Sequence, residues 1–246
     1  MSRVGADQTI DWNTAAAGVI DWWREAGVDV LVGDAPCDWL AAPEPAAAAA
    51  PIARRRAEPA VEAALPATLA ELLDWRGGAA APEAAWPGAA VAATGPLNAA
   101  LMVLVDCPER DDTDLLLGDS AAGRLLDRML AAIGQSRDTV HVAAVCTRRP
   151  IAGRVPRATE ARLGEIARHH VDLAAPERLL VLGGAASRAI LGIDLPEARG
   201  SLRALNLKSG KTTAAIASYH PRFLLERPAY KAEAWKDLQM LMGHGK

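Results

Sequence analysis

Asp106 and His220 are the two side chains whose type and placement in this chain could do chemistry. Asp106 directly follows the apolar run Leu101 to Val105 and opens Asp106-Cys107-Pro108-Glu109. A carboxylate held at the end of a strand can orient a water and take its proton as a general base. His220 stands in Ser218-Tyr219-His220-Pro221-Arg222-Phe223-Leu224-Leu225, just after the β-branched and small residues Thr212 to Ala217. Pro221 stops a strand there, so the imidazole projects from a strand's C-terminal end, the edge of an α/β sheet where ligands bind. Each residue also has a plainer reading. Asp and Pro are the commonest turn formers, and a His-Pro pair can simply cap a turn.

Other groups could recognise a ligand. Arg148, Arg149, Arg154 and Arg157 place four guanidiniums within ten residues. Such a cluster can clamp phosphates, or it can pair with Glu160, Glu165 and the acidic loop containing Asp111, Asp112 and Asp114. Val181-Leu182-Gly183-Gly184-Ala185-Ala186-Ser187 reads as strand, glycine turn and helix start, a geometry that offers backbone N–H groups to an anion. It has neither a Walker lysine nor GxGxxG spacing, so neither familiar nucleotide site is supported. His169-His170 has no carboxylate or cysteine at ligand spacing and reads as a surface pair.

These groups need a scaffold. The pattern alternates strands at 100–105, 140–145, 178–182 and 212–217 with helices at 120–133, 159–174, 185–191 and 229–242. Arg199-Gly200-Ser201 and Lys208-Ser209-Gly210-Lys211 flank a hairpin leading into the last strand. Strands separated by helices predict a three-layer α/β/α domain around a central, mostly parallel four-stranded sheet. That domain spans 98–246. Ahead of it, 41–97 is rich in Ala and Pro around Arg54-Arg55-Arg56, which predicts a flexible linker with one short helix at Thr68 to Trp75. Residues 1–40 form a tryptophan-rich helical segment. Its apolar face over Asp11 to Ala26, with Trp12, Trp22, Trp23 and Trp39 in the segment, serves either as extra core or as a protein-partner site, and buried tryptophans are most often core.

Of the 246 residues, 51% are hydrophobic, ample for a core. No run of eighteen apolar residues and no basic leader precede the core, so no membrane association and a cytoplasmic location are expected. Cys37, Cys107 and Cys146 are too few and too scattered for a disulfide framework or a CxxC metal site. The net charge of −3 divides into −7 over residues 1–100 and +4 over 101–246, a weakly basic second half compatible with a phosphate-bearing partner.

Taken in order, the pieces resemble the uracil-DNA glycosylase superfamily, most closely its iron-sulfur family 4. The likeness covers about residues 100–242. It rests on the helix Gly123 to Gly134, on Arg149-Pro150, on Leu182-Gly183-Gly184-Ala185-Ala186, and on Tyr219-His220-Pro221 with its leucines. The terminal helix with Trp235, Asp237 and Leu238 adds to it. The resemblance implies DNA repair by base excision: a hydrolase, specifically a glycosidase, that flips a base out of the stack and cleaves its glycosidic bond with water. Asp106 and His220 become the catalytic pair. His220 would stabilise negative charge developing on the base oxygen. Arg148, Arg149, Arg154, Gly183, Gly184, Tyr219, Pro221 and Arg222 become DNA contacts.

The chain departs from the family pattern at informative places. The Gly-Glu-x-Pro-Gly loop retains only a shortened carboxylate, Asp106, and Pro108. The aromatic ring that stacks on the base falls near Gly118, and the asparagine that reads it falls on Ala144. Each loss costs about 1–3 kcal/mol of substrate binding. Cluster cysteines fall near Arg148 and Gly164, with no N-terminal pair around Cys37, so no cofactor is expected. Two functions follow: a divergent monofunctional glycosylase with altered or lost uracil excision, or a glycosylase-fold adaptor without catalysis in a DNA repair or replication complex.

Overall fold

A computed structural model describes residues 64–243. The segments 1–40 and 41–63, with their tryptophans, Cys37 and Arg54-Arg55-Arg56, lie outside the described residues. Helix α1 (Leu69–Gly77) leads to strand β1 (Leu101–Val105), α2 (Ala121–Ala132), β2 (Val140–Ala144), α3 (Arg157–Ala174) and β3 (Arg178–Leu182). Then come α4 (Gly184–Leu191), α5 (Leu195–Ala198), β4 (Arg203–Asn206), β5 (Thr212–Ser218), α6 (Pro221–Glu226), a 3-10 turn at Pro228–Tyr230 and α7 (Lys231–Leu241). Local chemistry starts the helices where the sequence places them. Thr68 and Glu71 form a reciprocal capping box on α1, and Ser120 accepts from Gly123 N–H to start α2.

The sheet has five strands in the order β2-β1-β3-β5-β4. This corrects the expected four. The added strand is the first arm of the hairpin ahead of β5, and it is the antiparallel one. The other pairings are parallel, and β1, buried along its whole length, has the unbroken apolar run of a strand covered on both faces. Leu101, Val103 and Val105 pack with Leu126, Leu130, Leu224 and Leu238 on one side. Met102 and Leu104 pack with Leu163, Ala167, Ala186 and Ala189 on the other.

The register decides what the C-terminal edge presents. Val105 lies between Ala144 and Leu182, and Leu182 lies beside Ser218. Asp106, Gly183 and Tyr219-His220 therefore leave neighbouring strands at one level. After β1 the chain moves outward to β2, and after β3 it moves the other way to β5. The crevice outside β1 and β3 is the topological switch point where open α/β sheets bind ligands.

The expected flexible linker is overturned over residues 64–97. Arg76 of α1 is buried, donating to the Ala144 and Val145 carbonyls at 2.9 and 2.7 Å and to Glu83 at 2.7 Å. Glu83 also accepts from Thr147 N–H at 3.0 Å. Thr94 and Val142 exchange backbone hydrogen bonds at 2.9 and 2.8 Å, so the Ala/Pro-rich stretch covers the open edge of β2. A buried ion pair and a strand edge supply the order that composition lacked.

His170 is likewise no surface residue. It is buried with its Nε2 2.9 Å from that of His141, while His169 reaches the Pro66 carbonyl at 2.7 Å.

Candidate active site

Asp106 sits against the turn between β3 and α4. Its Oδ1 accepts from Ala186 N–H at 2.6 Å, so this carboxylate itself occupies the anion position at the start of α4. The approach requires glycine at 183. Gly183 has φ +111°, and a Cβ there would lie 2.5 Å from Asp106 Oδ2. Burial raises the Asp106 carboxyl above the usual range, opposed by the Ala186 and Ala185 N–H groups and by Arg188 and Arg222. A carboxylate that holds its proton more tightly is a stronger base once ionised.

His220 is the N-cap of α6, where its Nδ1 accepts from Arg222 N–H at 3.3 Å. Only 8% of the residue is exposed. Burial, then the cations of Arg222 and Arg149, lowers its pKa to about 3. The ring is therefore neutral at physiological pH. With Nδ1 accepting, the proton resides on Nε2, leaving one N–H to donate. Glu109 Oε1 is 3.8 Å from Nδ1, beyond a hydrogen bond, and a neutral ring makes no ion pair with it.

Three loops are knitted together around this pair. Arg222 Nη1 reaches both Glu109 oxygens at 2.9 and 2.8 Å, and Arg149 donates to the Pro108 carbonyl at 2.7 Å. Asp112 holds the loop after β1, accepting from Glu109 and Leu117 N–H at 2.8 Å each and from Gly118 N–H at 3.1 Å. Behind β5, Ser218 donates to Asp237 at 2.7 Å, and Arg199 clamps the same carboxylate at 3.0 and 2.9 Å. The Tyr219 ring stacks on Phe223 at 4.9 Å under the Arg199 guanidinium.

A cleft of about 990 Å³ opens here, lined by Asp106, Gly184, Ala185, Arg154, Arg188 and Arg222 among others. Only part of the arginine cluster makes the anticipated pairings. Arg149 pairs with the acidic loop and Arg148 donates to the Gly88 carbonyl. Glu160 pairs with Arg188 and Glu165 with Arg162. Arg154 and Arg157 are exposed on the cleft wall with no partner among the described residues. Glu109, Asp112 and Arg199 were noted in the sequence but without the contacts that hold the site together. Asp112 alone had a local signal, since Asp commonly accepts from backbone N–H groups a few residues along a turn.

The family model for the uracil DNA glycosylase superfamily matches residues 92–239. The chain belongs to that superfamily. It is 28% identical over 154 residues to the type-4 uracil-DNA glycosylase of Archaeoglobus fulgidus, covering 58% of this chain and 76% of that protein. It is 26% identical over 167 residues to the type-4 uracil-DNA glycosylase of Pyrobaculum aerophilum, covering 63% and 83%. The donors for an iron-sulfur cluster do not fit. No group of three or more His, Cys, Asp or Glu that could hold a metal exists among the described residues. No step here runs through a cluster.

Proposed function

We propose that this protein is a monofunctional DNA glycosylase of base-excision repair whose base selectivity has moved away from uracil. The reading is carried by one observation: the carboxylate of Asp106 lines a cleft of about 990 Å³ together with Arg222, whose backbone N–H donates to the neutral imidazole of His220. With a flipped nucleotide in the crevice, His220 Nε2–H donates to the base carbonyl oxygen as negative charge builds there. Breakage of the bond from C1′ to the base nitrogen sends its electron pair into the base. Asp106 accepts a proton from the water whose oxygen bonds to C1′. The likeness to two type-4 uracil-DNA glycosylases supports DNA as the substrate, and the basic cleft wall at Arg154 and Arg157 suits its phosphates. No helix among the described residues is long and apolar enough to cross a membrane, and the free thiols Cys107 and Cys146 suit a reducing cytoplasm.

Gly118 and Ala144 favour a second reading, a DNA-binding adaptor without catalysis, because both base-recognition groups are gone. Incubating the full chain with uracil-, hypoxanthine- and mismatch-containing oligonucleotides separates the two. Base release that Asp106→Ala and His220→Ala each abolish supports the enzyme. Tight binding without release at any lesion supports the adaptor.

A further inference from the structure

We propose that the groove between α2 and α7 is the docking site for an amphipathic helix of another protein, with acidic residues flanking its apolar anchors. The inference stands apart from the chemistry proposed for the cleft, since groove and cleft share no lining residue.

The groove follows from how this helical layer is built. α2 packs on α6 and α7 packs on β5, and the space left between α2 and α7, about 200 Å³, has the buried Leu224 and Leu238 in its lining. Each wall is one helix face. α2 contributes Leu125, Arg128, Met129 and Ala132. α7 contributes Lys231, Ala234, Trp235 and Leu238. Both sets have the spacing i, i+3, i+4, i+7, the stripe that a helix turns toward a packed neighbour. Two such stripes face one trough, and no helix among the described residues fills it.

Trp235 lies in this trough with 41% of its surface exposed. Tryptophan set among aliphatic side chains is the residue type that most often dominates binding at a protein interface. A trough of this kind accepts the i, i+3 or i+4, and i+7 anchors of an amphipathic helix.

Charge defines the flanks of the occupant. The acids of both helices are committed elsewhere: Asp127 pairs with Arg137 at 2.6 Å, Glu233 with Arg199 at 2.8 Å and Asp237 with Arg199 at 2.9 Å. Arg128 and Lys231 line the groove with no partner among the described residues. The lining thus carries unpaired cations and no acid, which complements Asp or Glu beside apolar anchors. A second copy of this chain, packed face to face, would bring the same cations together. Nucleic acid also fits less well, because interfaces with DNA are polar and strongly cationic, whereas every lining residue except Arg128 and Lys231 is apolar.

The test selects displayed helical peptides, with Leu fixed at i, i+4 and i+7 and random flanks, against the full chain. Enriched peptides are expected to carry Asp or Glu beside the leucines, and Lys in their place should weaken binding about tenfold. Trp235→Ala should weaken binding about tenfold or more, with the chain still folded by thermal unfolding. Arg128→Glu should weaken the acidic peptides and favour their Lys counterparts. Fluorine NMR of fluorotryptophan-labelled protein locates the peptide: the Trp235 resonance, assigned with Trp235→Phe, should shift with peptide and stay unchanged with duplex DNA. No enrichment, a neutral or basic consensus, or binding that neither substitution weakens overturns the docking site. A Trp235 resonance that shifts with protein concentration overturns it in favour of a second copy, and one that shifts with duplex overturns it in favour of DNA. Each of these outcomes leaves the reading of the cleft standing, which base release tests separately.

Discussion

Arg222 Nη1 lies 2.9 and 2.8 Å from the two oxygens of Glu109, and this one guanidinium ties the loop after Asp106 to the turn that carries His220. Asp106 and His220 follow strands far apart in sequence. Their relative position depends on β1 and β5 flanking β3, and on this clasp across the open end.

Arg222→Gln should therefore act on the reaction more than on stability. The Arg222 side chain is 41% exposed, so the thermal midpoint should fall little, while base release slows about tenfold or more. Losing a cation that lowers the His220 pKa should raise that pKa from about 3. Histidine NMR across a pH series measures the shift directly.

Acid should destabilise the fold in a defined window. Burial lowers the pKa of His220, His141 and His170 below the ordinary 6.5, so each is neutral when folded and gains a proton when the chain unfolds. The unfolded state then binds more protons. Stability contributed by these groups is fully present above pH 6.5 and is lost as pH falls below it, for His220 down to about 3. Each contributes a slope of up to about 1.4 kcal/mol per pH unit. Urea unfolding at pH 7, 5.5 and 4.5 should show the decline, and His170→Phe should flatten it.

Asp106 gives the opposite sign. Its carboxyl is raised, so folding favours the protonated form, and its contribution is present below the unfolded value and lost as pH rises through the folded one. Asp106→Asn keeps an oxygen for Ala186 N–H and removes the buried charge. The variant should melt at or above the wild-type temperature at pH 7, yet release no base. A melting curve and a release assay on the same sample check both halves.

Arg76→Met should show that residues 64–97 belong to the domain. It strands Glu83 as a buried, unpaired charge and frees the Ala144 and Val145 carbonyls. Breaking such a pair costs about 3–5 kcal/mol, measurable by urea unfolding. A chain beginning at residue 98 should be destabilised at least as much.

The alternating scaffold was legible because strands buried on both faces must be unbroken apolar runs, as Leu101 to Val105 is. The order of 64–97 was not, because Arg76 finds its carbonyl partner 68 residues further on. Composition carries no trace of such a contact. His170 was legible in principle, since Leu163, Ile166, Ala167 and Val171 form a helical stripe that passes through it. The fifth strand was visible as a hairpin and miscounted. Asp106 and His220 stood out because each follows a strand, whereas Glu109 and Arg222, 113 residues apart, became a unit only through the sheet order.

The shared site is tested most directly by single-turnover base release from a cleaved lesion duplex, comparing Asp106→Asn, His220→Gln and the double variant. Groups acting on one flipped nucleotide fail together, so the double variant should be little slower than the slower single one. Losses that multiply, or release that survives both substitutions, would contradict the account.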